Sequence, residues 1–231
     1  MSDSGDSPST GTATVLVRGE ATVEADPEIV VFAVSVRARA RDRREAMENL
    51  AQRSAEFATL VKSFGEAIEK VETSGVSVYP ELRRGRDERV RWYRGAVRSR
   101  LTVADLSVAG ELVGKISDLE LCQIEGPWWE LRPGSAVYRD ARTQAARAAV
   151  TRAAEYAGAV GGQLLGLIEL ADTGLTAPHR ERAVHYAANL ALAAGPPAEE
   201  TPVVIDLEPE TQVVTATVEA RFTMTQPSSL G

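Results

Sequence analysis

Between residues 134 and 160 alanine returns every fourth position, as Ala141, Ala145, Ala149 and Ala153, with Tyr138, Tyr156 and Val160 on the same stripe. That spacing holds one face of an α-helix in register, and alanine is the strongest helix former, so a helix is predicted over 134–160. Its small side chains let it lie close against a sheet. Gly161-Gly162 ends it, and QLLGLIELAD (163–172) follows as a strand.

A flat helix face calls for a flat partner, and the N-terminal part of the chain supplies strands. Val15, Val17, Ala21 and Val23 alternate with Arg18, Glu20, Thr22 and Glu24. Beyond the turn chemistry of Asp26-Pro27 a second strand places Val30, Phe32, Val34, Val36 and Ala38 on one face. Its other face changes from Ile29 and Val31 to Arg37 and Arg39, so it reads as covered on both sides at its start and solvated on one side at its end. Gly19, inside the first strand, reads as a bend or a position of close contact.

Residues 42–64 switch to helical period, with Ala46, Leu50, Phe57, Leu60, Val61 and Phe64 on one stripe, Asp42 as N-cap and Gly65 as the stop. Strands are predicted around 68–82 and 90–104, joined by the polar loop RRGRDER. In the second of these, Tyr93, Val97, Leu101 and Val103 share a face opposite Arg94, Arg98 and Arg100. A short helix at about 105–117 carries Leu106, Leu112, Val113 and Ile116. Residues 119–131 read as a strand with Ile124, Trp128 and Trp129, kinked or bulged at Gly126-Pro127. The last strand, 211–224, turns Val214, Ala216, Val218, Ala220 and Phe222 inward.

The order ββ-α-ββ-α-β-α-β-β implies an α+β fold: a largely antiparallel sheet, hairpins where short links join adjacent strands, and helices mainly on one face. Residues 1–13 read as a disordered tail, 14–225 as a single domain and 226–231 as a C-terminal tail. The Ala/Pro/Glu-rich stretch 173–210 reads as a long loop, in which HRERAVHYAANLALAA can form a helix.

Hydrophobic residues make up 44% of the 231, but aromatics only 5%, so the core must be built from Ala, Val and Leu. The net charge of −7 argues against an obligate nucleic-acid binder. No apolar run approaches the roughly 20 residues of a membrane helix, and the N-terminus lacks the basic and apolar regions of a signal peptide. A cytoplasmic protein without a membrane span is expected.

Chemistry is sparse. His179 and His185 are the two histidines, six residues apart where a helical zinc site wants three or four, and neither a cofactor nor a metal is expected. No nucleophile elbow is present, and Cys122, the single cysteine, reads as an inert core residue. The glycines at 161–166 follow a helix and precede a strand, the reverse of a phosphate loop. No catalytic constellation emerges, so the chain is expected not to be an enzyme.

The candidate interaction surface is the basic run Arg83, Arg84, Arg86, Arg89, Arg91 and Arg94 with Trp92, together with Trp128 and Trp129. Glu81, Asp87 and Glu88 interleave with the arginines, so the run reads first as a solvated hairpin tip pairing with acidic faces of the same or a neighbouring subunit. The alternative is a module that binds a small molecule or tracks a nucleic acid, the latter being the less favoured. Consecutive tryptophans in a strand point to opposite faces, so either one enters a core while the other meets solvent or a partner, or both are covered by the loop 173–210.

These elements, in order, resemble the SIMPL-domain family, which includes periplasmic immunogenic proteins of Gram-negative bacteria. The resemblance rests on Val17, Gly19, Ala21, Val23, Asp26 and Pro27, then Ala46 and Asn49, Val71 and Thr73, Val78 and Pro80. It continues through Tyr93, Val103, Asp105 and Leu106, the alanine helix with its Gly162, Leu164 and Gly166 exit, and Val218, Ala220 and Phe222. It implies an α+β fold, homo-oligomers and loosely stress-related or signalling roles, and it brings no catalytic residues. The sequence departs from the periplasmic members in showing no signal peptide. The reading that combines these features is a non-enzymatic, self-associating scaffold.

Overall fold

A computed structural model of the chain describes residues 12–82, 90–172 and 205–228. Residues 1–11 of the expected N-terminal tail, the hairpin tip 83–89, both histidines and the helix expected within 173–204 lie outside the described residues. The elements are β1 (Ala13–Ala25), β2 (Ile29–Ala40), α1 (Arg43–Ser63), β3 (Ile68–Leu82), β4 (Val90–Val103), α2 (Ala109–Ser117), β5 (Cys122–Glu130), α3 (Ala136–Ala159), β6 (Leu164–Asp172) and β7 (Gln212–Met224). They form the expected α+β order. The strands form two sheets, β3-β4-β2-β5 and β1-β7-β6, and the chain divides into two compact units, one around each.

In the unit of residues 26–133, β2 lies between β4 and β5, antiparallel to both. Its alternation delivers the core: Val30, Phe32, Val34 and Val36 are at most 1% exposed. Leu50, Phe57 and Val61 of α1, Leu112 and Ile116 of α2, and Leu101 and Val103 of β4 close over them. Burying each such side chain contributes roughly 1.5–3 kcal/mol. Ile29 and Val31, on the other face, are buried too, while Arg37 and Arg39 further along are exposed, as the change of pattern in β2 predicts. Asp42 caps α1 by accepting hydrogen bonds from the backbone N–H groups of Arg44 and Glu45, and Gly65, at φ 57°, follows its end. The Gly126-Pro127 irregularity is a bulge, the β2–β5 register shifting between Val31 and Ala33. Leu207, within the segment 205–211, packs on the same core.

In the second unit α3 lies on β1. Ala141, Ala145, Ala149, Ala153 and Ala157 are fully buried. A Cβ added at Gly19 would meet the Ala145 carbonyl and come within 2.7 Å of the Ala149 Cβ. Gly19 is therefore the position of close contact, where strand and helix backbones meet without a side chain between them. Val17, Val218, Ala220 and Phe222 complete this core.

Two sequence expectations are corrected. Asp26-Pro27 does not close a hairpin: β1 pairs with β7, and β2 with β4 and β5, so this turn carries the chain from one sheet to the other. Tyr156 leaves the buried stripe, being 57% exposed, and Ala157 takes its place. The buried stripe thus keeps its four-residue step to the end of the helix. Among the described residues no helix is long and apolar enough to cross a membrane.

Candidate functional site

The core side chains of β2 and β4 point toward α1 and α2, so the alternate residues make the opposite face of the four-stranded sheet. On β2 these are Ser35, Arg37 and Arg39, and on β4 Trp92, Arg94, Ala96, Arg98 and Arg100. The β2–β4 register sets Arg39 opposite Arg94, Arg37 opposite Ala96 and Ser35 opposite Arg98. β3 adds Tyr79 opposite Arg94 and Ser77 opposite Ala96. The result is a groove of about 420 Å³ lined by Arg37, Arg39, Arg94, Arg98, Tyr79 and Ser77, among others.

The arginines differ in their company. Arg94 makes a forked pair with Glu81, Nε donating to Oε2 at 2.6 Å and one terminal nitrogen to Oε1 at 3.1 Å. That hydrogen bonding, and then the carboxylate charge, raises the Arg94 pKa still further. Arg39 stands 4.0 Å from the same carboxylate and stacks over the Trp92 ring at 4.4 Å, with Arg41 at 5.5 Å from it. Arg100 pairs with Glu130 at 3.0 Å. Such solvent-exposed pairs add little to stability, so what they do here is fix side-chain positions. Among the described residues Arg37 and Arg98 have no carboxylate partner.

Of the residues singled out from the sequence, Arg83, Arg84, Arg86 and Arg89 lie outside the described residues. Arg91 is exposed, and Trp92 and Arg94 join the groove's margin and wall. Trp129 lies opposite Val30 and packs on the core, whereas Trp128 lies opposite Val31 and is 38% exposed. The two tryptophans thus face apart, as strand alternation requires. Sequence reasoning saw Arg37, Arg39 and Arg98 as solvated strand faces but did not join them to the run ending at Arg94. The signal was arginine at two-residue spacing on two strands. The missing information was that β2 and β4, separated in sequence by a helix and a strand, are neighbours.

The SIMPL family model, described as a protein of unknown function (DUF541), matches residues 15–222. The chain belongs to the SIMPL family. No curated protein was found to match it. The SIMPL match spans both sheets, from β1 to within β7.

Elsewhere in this SIMPL chain the reactive groups are few. Cys122, at the start of β5, is half-buried, and burial pushes its thiol pKa up, outweighing the opposing pull of the Arg53 charge. A thiolate nucleophile needs the reverse balance. Among the described residues no group of three or more His, Cys, Asp or Glu is placed to hold a metal ion.

Proposed function

We propose that this SIMPL chain is a non-enzymatic protein that self-associates through the β1-β7-β6 sheet. One observation carries the reading. Among the described residues β6 is an edge strand, in which Leu165, Leu167, Ile168 and Leu170 are each more than half exposed, at 62, 55, 51 and 52%. The register sets Leu167 opposite Phe222 and Leu170 opposite Ala220. Those two leucines therefore face the side that α3 covers, but α3 packs chiefly on β1, and of β6 Leu164 joins its core while Leu167 and Leu170 stay exposed.

An apolar strip beside an open backbone edge favours a strand-bearing partner. A second copy supplies one with the same strip, and antiparallel pairing of two β6 strands about a two-fold axis matches each copy to the other. A cytoplasmic location and a stress-related role belong to the same proposal, and cell fractionation with abundance measured before and after stress would check them.

Light scattering coupled to size-exclusion chromatography, at two concentrations and two salt levels, tests self-association. The expected mass is a discrete multiple of 24.8 kDa that persists at high salt. Leu167→Lys combined with Leu170→Lys is expected to give the monomer with its circular dichroism unchanged. A wild-type monomer under every condition overturns the proposal. A multiple that dissociates in salt moves the contact from β6 to the arginines.

A further inference from the structure

We propose that the open face of the β3-β4-β2-β5 sheet binds a small phosphate-bearing anion, held between Arg37 and Arg98. The argument begins with charge. Arg37 on β2 and Arg98 on β4 stand one row apart, since Arg37 lies opposite Ala96 and Arg98 opposite Ser35. Diagonal neighbours across antiparallel strands are about 7–8 Å apart, within reach of one anion between two long side chains. Both are exposed, and among the described residues neither has a carboxylate partner, although the chain carries 33 acidic residues.

The rest of the groove is organised around that gap. Glu81 pins Arg94 with two hydrogen bonds, and Trp92 supports Arg39 by stacking. Two guanidinium groups are thereby positioned on the sheet before any ligand arrives, which lowers the ordering cost of binding. Ser35 and Ser77 contribute hydroxyls to the lining, and Tyr79, half exposed, an aromatic side chain. Arginine's planar fork matches the oxygens of a phosphate, and that match selects phosphate over a spherical halide.

The same face argues against a nucleic-acid strand. The groove of about 420 Å³ has room for a compact ligand. Along the strands the carboxylates interrupt the cationic row: Glu81 on β3 beside Arg94, Glu125 on β5 opposite Ala33, and Glu130 on Arg100. A backbone of successive phosphates would run onto them, whereas a single phosphate or diphosphate would not.

Isothermal titration of the full chain with inorganic pyrophosphate tests the inference, with sodium chloride at matched ionic strength as the reference. Saturable one-to-one binding is expected, weakened about tenfold by Arg37→Gln and again by Arg98→Gln. Arg98→Lys should fall between wild type and Arg98→Gln, because lysine keeps the charge but loses the fork. Arg44→Gln removes the same charge from α1, where Arg44 pairs with Glu48, and should leave binding unchanged. Arg37 and Arg98 are both solvent-facing, so melting temperatures of the variants should stay at the wild-type value. The inference is overturned by the absence of saturable heat, by equal weakening in Arg44→Gln, or by a uridine oligonucleotide binding more tightly than pyrophosphate through the same arginines.

Discussion

The two sheets of this chain are covered by helices of opposite character. α3 meets β1 through a row of alanines against Gly19, so that a Cβ at residue 19 would come within 2.5 Å of a helix backbone nitrogen. α1 and α2 meet the other sheet through Leu50, Phe57, Val61, Leu112 and Ile116, set over Phe32 and its neighbours. The first contact gains dispersion energy by bringing main chains together and tolerates no added atom. The second gains it by filling space with large side chains and tolerates no loss. The difference also explains why the alanine-covered sheet leaves most of β6 open. A single narrow helix seated close over one edge strand reaches Leu164 of the other edge but leaves Leu167 and Leu170 exposed.

Substitutions that subtract volume in one unit and add it in the other should break this contrast most clearly. Phe32→Ala removes a side chain that is 0% exposed, and is expected to cost about 3–5 kcal/mol in denaturant unfolding, with amide exchange rising first in β2 and β4. A cost below about 1 kcal/mol would mean that the large-residue core is loosely packed.

Gly19→Ala adds one carbon and is expected to cost about 3 kcal/mol, because the obstacles are the Ala145 carbonyl and the Ala149 amide rather than a movable side chain. Pairing it with Ala149→Gly sharpens the test. If the helix backbone is the obstacle, removing the Ala149 methyl restores little, and the coupling stays below about 0.5 kcal/mol. Full rescue would show that the methyl, not the main chain, sets the approach.

The smallest expected effect is at a helix start. Asp42→Ala removes the acceptor for the Arg44 and Glu45 N–H groups, the former at 2.7 Å, and should cost about 1 kcal/mol. Asp42→Asn, which still caps, should cost less. If both variants lose the same amount, the carboxylate charge at the helix N-terminus matters more than the hydrogen bond.

What depends on neighbours a few residues away is legible from the residue pattern alone. Two-residue alternation named the buried faces of β2 and β7. Four-residue spacing named the flat face of α3, and Asp42 and Gly65 marked the ends of α1. These signals are local because a strand's pleat and a helix's turn repeat over two to four residues. Gly19 was legible as a point of close contact, but not what it touches.

Which strand lies beside which depends on long-range pairing that no local pattern encodes. Asp26-Pro27 has the chemistry of a hairpin turn, yet β1 pairs with β7 and β2 with β4, partners far along the chain. Alternation says which residues share a face, not which strand completes it. The groove's arginines were therefore visible as two separate strand faces and became one site only through pairing across β2, β4 and β3. The exposure of β6 was hidden for the same reason. Its leucines carry the pattern of a buried strand, and where a helix comes to rest over a sheet depends on contacts between distant parts of the chain.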